Sequence, residues 1–314
     1  MTVDADGAAT NSETLASATI VGASGNVVIG SDVLTSLVLS DLTGAQSVTV
    51  NNGTTESYEL ALSLDGIGDL SDPAFNTSIV EDEADALNIT MVSDSEVNLD
   101  AADAIDVTLG GTGTLTLDAA GLTALETITV SSAGVGLVAD LSAIAALTTI
   151  DAAASNEVIS VTVATTATTV TTGGGEDDIT VAGALNAAAE ISTGAGNDIV
   201  VVEAALNAGA SIDGGAGTED LLGLTSTEAS TADDTIFTGF ERIGIIADLA
   251  DNLNMANLDG IQYLVLAGEG GDAIDGTSTV TGISSGFTVE YLDGAATPAT
   301  DELTLSITGA AFAD

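Results

Sequence analysis

The sequence has no cysteine, no histidine, no lysine and no tryptophan, and its only basic side chain is Arg242. Without cysteine there are no disulfides and no thiol chemistry. That absence does not place the chain in a reducing compartment, because disulfides serve chiefly small domains with weak cores. Without histidine, cysteine or lysine, most nucleophilic and acid–base constellations cannot be assembled. Aromatics make up 3% of the chain, so sugar-stacking platforms are scarce. One arginine stands against 48 Asp and Glu, a net charge of −47. Nucleic-acid binding needs cations that neutralise phosphates, and an anionic membrane surface repels such a chain, so both are excluded as partners. The N-terminal stretch Met1–Ile20 holds neither a basic n-region nor an apolar h-region, so it does not form a Sec-type signal. No uncharged apolar run reaches the ~18 residues of a membrane helix. Residues 135–150 come nearest and are broken by Asp140.

What is present is a large aliphatic fraction: 45% of residues are hydrophobic, mostly Ala, Val, Leu and Ile. β-Branched residues and positive mean hydropathy oppose the disorder that high charge would otherwise suggest. Internal periodicity then decides the architecture. Glycine–acid clusters begin at Thr172, Thr193 and Gly214, a constant interval of 21. Cutting residues 110–214 at that interval aligns Ile128, Val170, Ile191 and Ile212, with Ile150 one place late. A second column holds Leu122, Leu185 and Leu206, with Ile144 again one late. Early in each row lie Leu115 and Leu117, Leu137 and Val138, Val158 and Ile159, Ile179 and Val181, and Val200 and Val202. Runs such as "ISVTVATT" alternate with a strand period of two.

Short strands repeating at this interval read as coils of a parallel β-solenoid. The segments "LTGAQSVTV" (42–50), "LTALETITV" (122–130), "FTGFERIGI" (237–245) and "LDGIQYLVL" (258–266) carry apolar residues at positions 1, 4, 7 and 9 and extend the coil on both sides. Residues 65–86 and 222–236 look like interruptions, and the last strands fall near 287–292 and 302–308. The expected organisation is a β-rich N-terminal segment over 1–86, looser or serving assembly, and a solenoid over 87–314 with an insertion near 222–236 and C-terminal strands.

The clusters themselves combine sharp bends with oxygen ligands, which is what a Ca²⁺-binding turn requires. "TGGGEDDIT" and "TGAGNDIVV" place an acid six residues into the motif and an apolar residue two later; "GGAGTEDLL" does so with Glu219, and Asp220 follows. This resembles the repeats-in-toxin (RTX) nonapeptide G-G-x-G-x-D-x-U-x, in which U is apolar. The resemblance implies a right-handed parallel β-solenoid with Ca²⁺ held between stacked turns. Its acid-position ligands would be Asp177, Asp198 and Glu219, with Asp178, Asn197 and Asp220 beside them. Gly173 and Gly175, Gly194 and Gly196, and Gly215 and Gly217 would shape the loops. The first Gly is Thr in two of the three motifs, and the spacing is 21 rather than consecutive nines. The alternative is a purely structural turn, with Gly at positive φ and Asp or Asn capping the loop.

The wider pattern, an acidic Thr/Ala/Gly-rich chain without cysteine, is similar to bacterial surface-layer and other type I secreted RTX proteins. It implies export through a C-terminal signal, which "ITGAAFAD" matches weakly, and folding on meeting extracellular Ca²⁺. The expectation is a non-enzymatic extracellular structural protein that self-assembles into a surface layer (S-layer) or filament, with cell-surface polysaccharide as a further partner. Assembly would bury solenoid ends or edge strands. The runner-up is a binding module, such as an adhesin, an appendage or a capsid-decoration protein, on a solenoid stalk. A polysaccharide hydrolase is remoter; its paired carboxylates would come from Asp177/Asp178, Asp233/Asp234 or Glu81/Asp82/Glu83. Ice binding, from the threonines of 162–172, lacks recurrence in adjacent coils. Arg242 is expected to pair locally with an acid.

Overall fold

The computed structural model describes residues 2–3, 15–42, 44–53, 57–81, 83–232, 235–246, 249, 251–258, 260–266, 277–283, 286–291 and 302–307. The chain is an all-β parallel solenoid, built as two compact units, residues 1–175 and 176–314. No helix among the described residues is long and apolar enough to cross a membrane.

In the first unit, the strands alternate between two parallel ladders. One ladder stacks Val27–Gly30, Gln46–Asn51, Thr77–Glu81, Ser95–Asp100, the second half of Asp106–Asp118, Gly134–Leu141 and Ile159–Val163. The other stacks Ser17–Val21, Ser36–Ser40, Glu59–Asp65, Ala86–Met91, the first half of Asp106–Asp118, Thr127–Val130, Thr149–Asp151 and Thr169–Thr171. The second unit repeats the scheme. Asp178–Val181, Ile199–Val202, Leu221–Leu224, Arg242–Ile245, Tyr263–Leu266 and Thr288–Tyr291 form one ladder. Glu190–Ser192, Ser211–Asp213 and Phe237–Thr238 form the opposite one, and Leu253–Asn254, Thr277–Ile283 and Glu302–Ile307 a third.

The register explains the sequence columns. Ile128 pairs with Ile150 and Ile150 with Val170 in the first unit, and Ile191 with Ile212 in the second. All five are buried. The residue that came "one late" is an ordinary member of its ladder, because that coil is one residue longer. Leu115, Leu137 and Ile159 likewise form one buried column. Val138 and Val158, expected in the same cluster, face outward and are exposed. Strand alternation puts Leu137 and Ala139 inside and Val138 outside. Each buried Val, Leu or Ile contributes roughly 1.5–3 kcal/mol, and an equal neighbour above and below lets the ladder pack without gaps.

Between ladders the chain turns in two ways. The L-x-x-L segments make successive tight turns: the Leu122 amide donates to the Ala119 carbonyl, Leu125 to Leu122, Ile144 to Leu141 and Leu147 to Ile144. These turns send every third residue inward, so Leu122, Leu125, Ile144 and Leu147 are all buried. In the related "LTGAQSVTV", Gln46 is buried and Ala45 exposed, a departure from the four-position pattern. Elsewhere, Asp and Asn side chains accept the amide two residues on: Asp118 from Ala120, Asp140 from Ser142, Asp151 from Ala153, Asn186 from Ala188 and Asp213 from Gly215. Part of the acidity is therefore turn chemistry. The coil after Ser211–Asp213 is longer, since Ile212 pairs with Phe237. It carries the helix Ser226–Thr231, capped by the Thr225 hydroxyl, which accepts from the Glu228 amide.

Candidate functional site

The glycine–acid turns lead into the strands Asp178–Val181, Ile199–Val202 and Leu221–Leu224 of the second unit. Asp177, Asp198 and Asp220 each sit immediately before one of these strands. Because the strands are in register, their carboxylates stack. The Asp177 amide donates to Asp198 Oδ1 at 2.8 Å, and the Asp198 amide donates to Asp220 Oδ1 at 2.8 Å. The Asp220 amide in turn donates to Glu241 Oε2 at 3.1 Å. Each coil's backbone thus hangs on the carboxylate of the next. Asp177, Asp198 and Asp220 are all buried, with Asp198 and Asp220 at 0% exposure.

The expected column contained Glu219 in place of Asp220. The motif was counted from its glycine end, but the third turn holds one more residue: Asp177 and Asp198 are 21 apart, Asp198 and Asp220 22. Counting back from the paired strands Ile199↔Leu221 finds Asp220, and from Leu221↔Arg242 finds Glu241, which sequence reasoning missed. Glu219 is 62% exposed and its Oε2 lies 3.7 Å from Arg242 Nη1. The neighbour Asp178 also faces outward, and Asn197 Oδ1 accepts the Thr218 amide at 3.2 Å.

The two oxygens of the Asp220 carboxylate differ. Oδ1 of Asp198 and of Asp220 accepts a backbone amide, whereas Oδ2 of Asp220 is buried without a hydrogen-bond partner. The Thr193 hydroxyl, close to Asp198, donates to the Gly214 carbonyl at 2.8 Å. Burial pushes the Asp220 carboxyl up to about 6, with the charges of Glu241, Asp198 and Asp213 adding to the effect. Burial also raises Asp198, opposed by the Asp177 amide and the Thr193 hydroxyl.

The glycines make room for these oxygens. A Cβ on Gly217 would sit 2.2 Å from the Gly196 carbonyl oxygen and 2.5 Å from both Asp220 oxygens. Three oxygens therefore converge beside Gly217 in a space only glycine leaves open. Gly215 has φ +80°, and a Cβ there would meet the Gly194 carbonyl oxygen at 2.1 Å. The Ala216 amide donates to that same carbonyl at 2.7 Å, and the Gly196 amide to the Ala216 carbonyl at 3.2 Å. In the first unit, Gly173 lies against the Ser155 carbonyl, and Gly175 is buried.

The donor set is hard and anionic, which suits Ca²⁺ rather than a softer ion. One carboxylate plus one carbonyl falls short of the six to eight oxygens Ca²⁺ takes, so water would complete the shell. No group of three or more Asp or Glu side chains converges among the described residues. Of the other acid pairs read from sequence, Glu81 is fully buried, accepting the Tyr58 hydroxyl and the Ala84 amide. Asp82, Asp233 and Asp234 lie outside the described residues, as does the C-terminal stretch 308–314. No protein-family model matches the chain, and neither the curated proteins nor the solved structures contain a match.

Proposed function

We propose that the protein is an extracellular structural protein, of the RTX type suggested by its turn motif, whose coils are locked by Ca²⁺ and which self-associates into a surface layer or filament. The observation that carries this reading is the buried Oδ2 of Asp220, which meets no donor and faces the Gly196 carbonyl across Gly217. An ionised buried oxygen with no donor is costly, and a chain with one arginine cannot neutralise it internally. A divalent cation removes that cost and holds adjacent coils together.

The sparse donor set points outside the cell. Sites with few protein oxygens bind Ca²⁺ at roughly 10⁻⁴–10⁻³ M, a concentration found extracellularly. Chelation tests the reading. Circular dichroism should show loss of β-structure, or a large fall in melting temperature, in EDTA, restored by millimolar Ca²⁺. Electron microscopy of the loaded protein should show sheets or fibres. An equally stable, equally associated protein in EDTA removes the calcium claim; a loaded protein that remains monomeric points to the binding-module reading.

A further inference from the structure

The outer face of one ladder in the second unit departs from the rest of the surface. Four of its six strands, Ile199–Val202, Leu221–Leu224, Arg242–Ile245 and Tyr263–Leu266, present two outward columns, which Asp178 and Thr180 continue at one end and Thr288 and Glu290 at the other. One reads Ile199, Leu221, Arg242, Tyr263; the other Val201, Gly223, Gly244, Val265. None of these positions is acidic, in a chain with 48 Asp and Glu. Outward positions of the first unit hold Ser47 and Thr49, Glu96 and Asn98, and Ser160 and Thr162. Val28, Val80 and Val138 also face outward there, but each pairs with a Thr of a neighbouring strand, whereas the second unit gathers Ile, Leu, Val and Tyr on one patch.

The face is also smooth. A Cβ on Gly223 would meet Val201 Cγ2 and Ile246 Cγ2 at 3.0 Å, and one on Gly244 would meet Leu221 Cδ1 at 3.4 Å. Branched side chains therefore spread over the two glycines. Arg242, 26% exposed, lies within this surface: its guanidinium carbon is 5.3 Å from the Tyr263 ring centre, and its Nε is buried without a hydrogen-bond partner. Nη1 reaches Glu219 at 3.7 Å and Nη2 reaches Glu290 at 3.4 Å. Ile199 and Tyr263 remain 38% exposed.

We infer that this face is a docking surface for a second copy of the same chain. The inference rests on the self-association proposed above and names where it occurs. Charge selects the occupant. A basic partner would find carboxylates over most of this molecule and has no reason to choose a patch whose acids, Asp178, Glu219 and Glu290, sit at its edges. A second copy, itself carrying −47, is repelled least where both surfaces present apolar columns and Arg242 offsets the flanking acids. The face is also self-complementary, one cation flanked by Glu219 and Glu290. A twofold pairing lets Arg242 of each copy reach an acid of the other while the apolar columns close between them. Strands about 4.8 Å apart make this patch the size of an interface core rather than of a large obligate interface. The association should therefore depend on concentration and strengthen with salt, which screens the repulsion.

The absence of cysteine gives a direct test on the full chain. Single-cysteine variants Ile199→Cys and Val265→Cys on the face, and Ser211→Cys on the opposite ladder, are treated with a short bis-maleimide in Ca²⁺ and moderate salt. The proposal expects cross-linked dimer from the two face variants roughly tenfold above the Ser211→Cys control, since only apposed positions are held within reach. Sedimentation of the double variant Ile199→Asp/Leu221→Asp should show a dissociation constant raised at least roughly tenfold, because each copy buries unpaired carboxylates. Equal cross-linking at face and control, in a protein that still assembles, overturns the surface assignment and leaves the proposed function standing. A wild-type chain that is monomeric in every salt and calcium condition overturns both the surface and the self-association.

Discussion

Asp220 serves the fold through one oxygen and leaves the other idle. Oδ1 accepts the Asp198 amide, while Oδ2 is buried without a donor and close to the Gly196 carbonyl across Gly217. Asn at this position keeps the acceptor, removes the charge and offers an N–H to that carbonyl. Asp220→Asn should therefore raise stability in EDTA by about 1–3 kcal/mol and lose much of the stabilisation that Ca²⁺ gives the wild type. Urea melts of both proteins, with and without Ca²⁺, measure this; an unchanged calcium increment in the variant removes Asp220 from the binding site. A second residue-scale test uses Tyr58, whose hydroxyl donates to the buried Glu81. Burial, and then the hydrogen bond and charge of Glu81, push this phenol well above its ordinary value of 10. The native state thus keeps a proton that the unfolded chain releases, so stability is full below pH ~10 and falls as pH rises beyond it. With no Lys or Cys in the chain, tyrosines are the only side chains that titrate between pH ~8 and ~12. Tyr58→Phe should cost about 1–3 kcal/mol near pH 8 by taking one donor from buried Glu81, and the gap to wild type should narrow by pH 11. A constant gap would mean that Glu81 is not what holds the phenol protonated.

At the scale of the coil, legibility depended on which end of the repeat was counted. The ladders of Ile128, Ile150 and Val170 and of Ile191 and Ile212 were readable because inward residues recur at nearly fixed spacing and only apolar side chains fit there. Grouping adjacent apolar residues into one cluster misassigned Val138 and Val158, since β-branched residues suit both faces of a strand and composition alone does not tell inside from outside. Asp220 and Glu241 escaped for a different reason. Turns absorb an extra residue without disturbing the strands they join, so the longer third coil shifted the acid column off the count. The strand start, where an acid precedes Asp178, Ile199, Leu221 and Arg242 in turn, is the reliable marker. Because each coil contributes its own rung, a core truncation acts through its ladder. Leu222 is fully buried, paired with Val200 on one side and Ile243 on the other. Leu222→Ala should cost about 2–5 kcal/mol and raise amide exchange first in Ile199–Val202, Leu221–Leu224 and Arg242–Ile245. Exchange that rises uniformly along the chain would show that coils do not open as neighbours.

For the molecule as a whole, the governing quantity is 48 acids against one arginine. Asx turns and stacked carboxylates give some of these acids local hydrogen-bond partners, but none of that reduces the net charge of −47. Self-repulsion opposes the compact state, and any cation relieves it by screening. Screening and site binding can be separated because they scale differently. Screening depends on ionic strength, so NaCl, MgCl₂ and CaCl₂ matched in ionic strength would stabilise nearly equally. Binding follows free-ion concentration over Kd and adds stability only to the state that holds the site. Mg²⁺ demands near-ideal octahedral geometry and surrenders water reluctantly, so turns built from a carboxylate and glycine carbonyls should favour Ca²⁺. At matched ionic strength, Ca²⁺ about tenfold above its Kd should add roughly 1.4 kcal/mol per independent site over NaCl, with Mg²⁺ falling between. Three coincident melting curves would assign the whole cation effect to charge screening and return the glycine–acid turns to a purely structural role.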